Sequence, residues 1–224
     1  MKLKMYLIPF SLILVCIIFA AITRFSYTDA GDAVYNYEYN ANDVMSDLLK
    51  ENKISSPADI IDQADIIVKA KYNGKRKMIP DAFFSEVSVS QIYKGNKALL
   101  NEELCIIEPL EVFTKKQYIN ARGHFTIPLQ KGDEYVLLLN HKEFDKSRKL
   151  NDFEKSQYYP VTQGAFGCYR ISRKRQTECL DKSKKYTIND LLGMDIYATD
   201  SQVLDNYYDY KEQIFKSIGV YMND

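Results

Sequence analysis

The stretch Ala64-Asp-Ile-Ile-Val-Lys-Ala-Lys-Tyr72 decides the fold, because its apolar and charged side chains alternate. Successive side chains of a β-strand point to opposite faces, so Val68, Ala70 and Tyr72 share one face and the lysines between them share the other. An apolar face opposite a charged one is typical of an antiparallel strand with one side on the core. This stretch therefore predicts a half-buried strand.

Further short strands are predicted along the chain from the same alternation, or from apolar runs bounded by turn residues. Gly164 and Gly167 interrupt one of these stretches, as glycines do in a bent strand or at a barrel corner. Together the strands predict a small antiparallel sheet of five to six strands, either barrel-like or strongly bent. The further predicted strands are Phe84–Ser90, Glu103–Pro109, Glu134–Asn140, Tyr158–Ile171 and Thr177–Leu180.

Helical spacing flanks the strands on both sides. Asn42–Lys50 has apolar residues at helical intervals, and a short helix is expected after Ser56, which suits the N-cap, with Pro57 at the first helical position. From Thr187 onward the chain is predicted to be helical again, and Asp200–Ile218 forms an amphipathic stretch. The predicted class is therefore α+β, with N- and C-terminal helices around the sheet.

An uncharged apolar run, Met5–Ile22, follows Lys2 and Lys4. A helix of this length spans about 27 Å, close to the thickness of the bilayer core, so the run predicts a transmembrane helix. Basic residues ahead of it favour a cytoplasmic N-terminus. Two alternatives stay open: a cleaved signal peptide, although Phe19 is bulky for a cleavage site, and a lipoprotein acylated at Cys16. All three imply export.

These features predict a linear organisation of the chain. It comprises a cytoplasmic start (1–4), an anchor or signal segment (5–22), a polar spacer (23–40), an extracytoplasmic α+β domain (41–186) and an acidic helical segment packed on that domain (187–224).

The composition excludes several classes of protein. Hydrophobic residues make up 46% of the chain, which is too much for a disordered protein. Thirty basic residues balance 30 acidic ones, so no net charge favours nucleic acid, and none is expected as a partner. The charge is uneven, because residues 66–186 carry 23 bases and 14 acids between two acidic flanks.

The sequence carries no motif for catalysis or for a metal, and we expect neither an enzyme nor a cofactor. His124 and His141 lack metal-ligand spacing, and there is no C-x-x-C pair. Neither a G-x-S-x-G motif nor a glycine-rich phosphate loop occurs. Cys105 lies in an apolar strand, where a cysteine usually contributes packing. His124 is the histidine to examine beside any pocket.

Two features remain as candidate sites. Cys168 and Cys179 lie on two predicted strands joined by a polar turn, so they are the candidate disulfide of an exported protein. Basic loop residues form a candidate site for anionic polymer or lipid headgroups. Those residues are Lys146, Arg148, Lys149, Arg173, Lys174 and Arg175.

The order of elements over roughly residues 56–172 resembles exported bacterial proteins of unknown function with a netrin-like core, the OB-type barrel shared with tissue inhibitors of metalloproteinases. The resemblance implies a fold and not a function. The N-terminal cysteines with which those inhibitors engage zinc have no counterpart here, so inhibition of that kind is not implied. The resemblance rests on Gln63-Ala64-Asp65, Ile66–Lys71, Val89–Gly95, Cys105–Glu108, Pro128–Leu139 and the late Gly-x-x-Gly-x-Tyr strand.

The sequence therefore predicts a membrane-anchored, extracytoplasmic module of a bacterial cell envelope that binds an envelope protein or peptide without catalysis. The alternative is a binder of anionic envelope polymer or lipid surface through the basic loops. A hydrolase with an unrecognised site is the third hypothesis.

Overall fold

The computed structural model describes residues 13–20, 31–41, 49–50, 53–121, 126–171 and 174–220. The strands are β1 (Glu38–Asn40), β2 (Ile66–Ile79), β3 (Ala82–Lys94), β4 (Glu103–Glu108), β5 (Glu111–Phe113), β6 (Tyr118–Asn120), β7 (Glu134–His141), β8 (Gln157–Pro160), β9 (Cys168–Arg170) and β10 (Tyr186–Thr187). The α-helices are α1 (Pro57–Gln63), α2 (Asp152–Lys155) and α3 (Ser201–Ser217). Short 3₁₀ helices are Gly31–Asn36, Lys97–Leu99, Thr114–Lys116, Val161–Gln163, Ala165–Gly167 and Asn189–Leu191.

Five strands of the larger sheet close into a ring. β2 pairs with β3, β3 with β4, β4 with β8, β8 with β7, and β7 returns to β2. The β4–β8 pair is parallel and the other four pairs are antiparallel. β9 is the sixth strand and pairs with the first half of β7. Closure leaves each ring strand with a neighbour on both sides, so the ring has no free edge over its paired length.

The alternation in β2 is the reason that the ring has a core. Val68, Ala70 and Tyr72 are buried, as their spacing predicts, whereas Lys71 between them is exposed. They pack with apolar residues that every other ring strand contributes, so the five strands enclose one hydrophobic cluster. Its remaining members are Ile66, Val87, Val89, Leu104, Ile106, Leu129, Tyr135, Leu137, Leu139 and Tyr158.

A second sheet has four short strands in the order β10-β1-β6-β5. β1 runs parallel to β6 and antiparallel to β10. The described part of the predicted spacer therefore contains a strand, and Val34, Tyr37 and Tyr39 are buried. The prediction of one antiparallel sheet is corrected to two mixed sheets.

The C-terminal helix α3 agrees with its predicted amphipathic stretch. Asp200 caps it by accepting a hydrogen bond from the backbone N–H of Gln202 at 2.8 Å. The buried face carries Tyr207, whose ring stacks on Tyr169 of β9 with centroids 5.4 Å apart. The first short helix is also confirmed, with Ser56 at its N-cap and Pro57 in its first turn.

Two predicted strands differ in the structure. The stretch Tyr158–Ile171 divides into β8 and β9, and two 3₁₀ turns separate them. Thr162 in the first turn has φ of 63°, which ends the extended conformation. Residues 177–180 form no strand. Of the predicted helix Asn42–Lys50, residues 42–48 lie outside the described residues, and 49–50 are helical.

The predicted transmembrane helix requires correction. In the part of the chain that the structure describes, no helix has both the length and the apolar character needed to cross a bilayer. Within the predicted span the structure describes residues 13–20, which are helical. Residues 5–12 and 21–22 of that prediction lie outside the described residues. The chain divides into the units Met1–Ala33 and Val34–Asp224.

Candidate functional site

An exposed phenylalanine marks the candidate site. Phe153 lies on α2 and 53% of its surface is exposed. A capping box fixes this one-turn helix: the Asn151 side chain accepts from the Glu154 N–H at 2.8 Å, and the Glu154 carboxylate accepts from the Asn151 N–H at 3.0 Å. Arg148 also forms an ion pair with Glu154. The sequence around Phe153 therefore holds an apolar ring at the surface.

Two more phenylalanines extend this surface. The ring of Phe84, on β3, lies 6.1 Å from that of Phe153, and the ammonium of Lys142 lies 6.0 Å from the Phe84 centroid and 5.1 Å from that of Phe144. Lys142 also donates a hydrogen bond to the Gln157 side chain at 3.0 Å, which orients its ammonium. We call Phe84, Phe144 and Phe153 the aromatic cluster. Its rings, with a cation over two of them, can bind apolar or aromatic groups of a partner.

Residues 142–156 carry two of these rings. The side chain of His141 contacts the backbone near both ends of this segment. Nδ1 of His141 lies 2.9 Å from the carbonyl oxygen of Lys142, and Nε2 lies 2.9 Å from that of Lys155. The ring also makes an edge contact with Tyr158 of β8 at 5.0 Å between centroids. We call residues 142–156 the strap.

The ring of strands contains a buried ion pair between Arg76 and Glu108, 3.0 Å apart, with side chains 4% and 7% exposed. The guanidinium also donates to the Leu129 carbonyl at 2.7 Å and to Ser85 at 2.8 Å. The other Glu108 oxygen accepts from the Leu129 N–H at 2.7 Å. Burial opposes the charge of Arg76, but Glu108 and the nearby tyrosine hydroxyls outweigh it, so its pKa is raised.

A small cavity lies beside this ion pair, between Glu108, Pro160 and Cys168. Its volume of about 10 Å³ is room for one water molecule. Both oxygens of Glu108 already accept hydrogen bonds, so the carboxylate has a structural role inside the ring of strands. The cavity itself is too small for a substrate.

A second buried ion pair fastens α3. Lys211 donates to Asp195 at 2.9 Å, and their side chains are 2% and 1% exposed. Tyr208 donates to the same carboxylate oxygen at 2.9 Å. Burial lowers the pKa of Lys211, and Asp195 offsets part of that effect. This pair joins the helix to the loop that follows Gly193, which is a structural role.

The candidate disulfide residues are both described. Cys168, in β9, is half-buried, and burial raises the pKa of its thiol. Cys179 is exposed and lies outside any strand. No disulfide joins these two residues in this structure, and the bond stays a prediction for the oxidised protein.

Of the described basic loop residues, Arg148 and Arg175 form ion pairs within the chain. Lys146 and Lys149 are exposed in the strap, where Arg148 pairs with Glu154. Arg175 pairs with Asp205 of α3 at 2.7 Å. Lys174 is exposed, and Arg173 lies outside the described residues. Charge on two of the arginines is thus partly compensated within the chain.

Cys105 is buried in β4, and burial raises its pKa to about 11, so the thiolate is scarce at neutral pH. His124 lies outside the described residues. Among the described residues, no group of three His, Cys, Asp or Glu side chains could hold a metal ion.

Sequence reasoning missed both ion pairs and the aromatic cluster. The sequence does indicate that Lys211 is buried, because this residue lies at helical spacing from Leu204, Tyr207 and Phe215 on the apolar face of α3. The aromatic cluster joins one residue of β3 to two residues of the strap, and no local pattern reveals such a contact.

Comparison with known proteins adds no relative. No protein-family model matches the chain. A search of curated proteins gives no significant match.

Proposed function

We propose that Val34–Asp224 is a non-catalytic binding module that docks an apolar segment of a partner protein on the aromatic cluster. The observation that carries the proposal is Phe153, which a capped helical turn holds at 53% exposure against Phe84. Exposed aromatic rings on a fixed backbone bind at low cost in conformational entropy, and they are enriched at protein interfaces.

The interior supports a binding role over a catalytic one. The two buried ion pairs, Arg76–Glu108 and Asp195–Lys211, neutralise their own charges. The cavity beside Glu108 has room for about one water molecule. The features that could recognise another molecule are at the surface.

The fold proposal is that the ring of β2, β3, β4, β8 and β7 is a netrin-like barrel of the OB type. Its support is the closed circuit of five strands over one hydrophobic cluster. This likeness concerns architecture alone.

We propose that the module works outside the cytoplasm, in a bacterial cell envelope. The support is the basic start and the uncharged run of Met5–Ile22, which are typical of export. The partner is then an envelope protein or peptide.

A pair of substitutions tests the binding surface. Phe153→Ser removes the exposed ring, whereas Phe113→Ser removes a comparable ring, 41% exposed, whose centroid lies 5.8 Å from that of Tyr118 in the second sheet. Tagged full-length variants are cross-linked in intact cells and the products are identified. We expect Phe153→Ser to reduce the yield of a defined protein adduct about tenfold, the effect of losing an aromatic anchor, and Phe113→Ser to leave it unchanged.

Equal yields from both variants would refute the aromatic cluster as the binding surface. Recovery of anionic polymer that high salt releases would favour the basic loops instead.

A further inference from the structure

The ammonium of Lys142 lies among the rings of the aromatic cluster. It is 5.1 Å from the centroid of Phe144 and 6.0 Å from that of Phe84, whose ring lies 6.1 Å from that of the exposed Phe153. The Lys142 side chain is half-buried, and its hydrogen bond to Gln157 at 3.0 Å uses one of the three N–H groups of the ammonium. The other two N–H groups remain for water or for a bound partner.

The acids of the strap and of the neighbouring strand are not paired with Lys142. Glu86, on the same face of β3 as Phe84, pairs with Lys75 at 2.7 Å. Glu143 follows Lys142 in the sequence and is exposed, and the other three acids of the strap bond within the strap. Those internal bonds join Glu154 to Arg148, Asp152 to Lys155 and Asp145 to Ser147. In the part of the chain that the structure describes, no ion pair compensates the charge of Lys142.

A second lysine lies beside the same ring. In the pairing of β2 with β3, Lys77 is directly opposite Phe84, so the two side chains share the outer face of the sheet. Lys77 is exposed, and no acid among the described residues forms an ion pair with it. Two lysines thus neighbour Phe84, and their charge favours a negatively charged partner.

Docking on the aromatic cluster would change the surroundings of Lys142. A partner that covers Phe84 and Phe153 also takes water away from the Lys142 ammonium, which lies over one of these rings. A charge that loses its water without gaining an opposite charge is costly. A purely apolar partner would therefore lose much of the free energy gained by covering the rings. A carboxylate beside the ammonium offsets that loss, because charge-assisted hydrogen bonds are strong.

We infer that Lys142 determines which partner the aromatic cluster accepts, and that the docked segment carries an Asp or Glu side chain beside its apolar or aromatic residues. The inference rests on the binding function proposed above and adds the chemistry of the partner to it. The rings contact the apolar side chains, while the Lys142 ammonium donates hydrogen bonds to the carboxylate. Lys77 adds longer-range attraction for the same charge.

Selection from a random peptide library displayed on phage, with the tagged full-length protein as bait, tests this inference. Among peptides that bind the wild-type protein, we expect an Asp or Glu close in sequence to an aromatic or large aliphatic residue. Replacing that acid by its amide should weaken binding about tenfold, the effect of losing a hydrogen bond to a charged group. This comparison uses the wild-type protein alone, so it does not depend on the folding of a variant.

Variants then assign the preference to Lys142. Lys142→Met removes the ammonium and should abolish the difference between acid and amide, whereas Lys142→Arg keeps the charge and should retain the difference. The matched control is Lys146→Met, which removes the same charge from an exposed lysine of the strap and should leave the preference intact. A preference for acid that survives Lys142→Met, or that Lys146→Met abolishes as well, would overturn the role of Lys142.

The outcomes separate this inference from the proposed binding surface. Peptides that need Phe153, because Phe153→Ser no longer binds them, but that show no preference for acid would overturn the inference and leave the binding surface intact. Peptides that bind Phe153→Ser as well as the wild-type protein would contradict the binding surface and the inference together, and so would a selection that yields no peptide.

Discussion

Arg76 and Glu108 show, at the scale of single residues, why a buried charge depends on its partner. Each side chain is almost fully buried, and each satisfies the other together with Ser85 and the Leu129 backbone. Two charges taken out of water are stable only in such a matched arrangement. The consequence is that removing one partner should cost much more stability than replacing both.

Removing one partner should destabilise strongly. We expect Glu108→Ala to lower the free energy of unfolding by about 3–5 kcal/mol, because the Arg76 guanidinium is left buried and unpaired. The double variant Arg76→Met with Glu108→Leu should regain most of that loss. Urea denaturation of the three proteins measures this. A loss for Glu108→Ala below about 1 kcal/mol, the size expected of an exposed pair, would contradict the buried pair.

At the scale of elements, the turn after β3 depends on a residue without a side chain. Gly95 has φ of +101°, and a Cβ there would lie 2.6 Å from Cγ2 of Ile66 and 3.0 Å from the Asp65 carbonyl oxygen. The turn therefore approaches the start of β2 more closely than any other residue allows. Gly132, with φ of +88°, has nothing within 4 Å of its Cβ position.

These two glycines form a matched pair for measurement. Gly132→Ala should cost about 1–2 kcal/mol, the backbone strain of a left-handed residue. Gly95→Ala should cost about 1–3 kcal/mol more, because it adds a clash to the same strain. Thermal or urea unfolding of both variants gives the difference. Equal losses would mean that β2 does not begin against this turn.

The elements that could be predicted from sequence are those long enough to show a period. β2, β3 and α3 repeat their pattern over many residues, and the structure has each of them at the predicted place, although β2 and β3 extend beyond the predicted strands. β1, β5, β6 and β10 have two or three residues each, which is too few to establish alternation. The second sheet was therefore missed, and so was the parallel β4–β8 pairing, which depends on partners distant in sequence.

The candidate site was less predictable than the fold for a different reason. Phe84 lies on β3, whereas Phe144 and Phe153 lie in the strap, so their proximity depends on a contact between segments distant in sequence. Arg76 and Glu108 are charged residues of the kind that usually face solvent, so their burial has no local signal. The aromatic cluster and the buried ion pair both depend on tertiary contacts, which local sequence propensity does not reveal.

At the scale of the whole molecule, buried tyrosines dominate the response to alkaline pH. Burial raises the pKa of Tyr72 to about 12 and that of Tyr169 and Tyr207 well above the ordinary value. Above pH 10 the unfolded chain loses these protons while the folded chain keeps them, so stability should fall as pH rises. Burial lowers the pKa of Lys211, and this makes stability rise with pH. Because Lys211 is one group against several tyrosines, the tyrosines dominate.

This behaviour is measurable by urea denaturation between pH 8 and pH 11. We expect a loss of about 1.4 kcal/mol per pH unit for each fully buried tyrosine once the pH exceeds 10. Tyr207→Phe should reduce that slope by one tyrosine's share, since the hydroxyl of Tyr207 is buried without a hydrogen-bond partner among the described residues. A slope that Tyr207→Phe leaves unchanged would show that this hydroxyl is accessible to water.

The most direct test of the central claim, that the aromatic cluster is a binding surface, is site-specific photo-cross-linking in intact cells. A photoreactive phenylalanine analogue replaces Phe153 in the full-length protein, and the same analogue at Phe113 is the control. We predict one discrete protein adduct from position 153 and none from position 113. No adduct from position 153, or the same products from both positions, would contradict the claim.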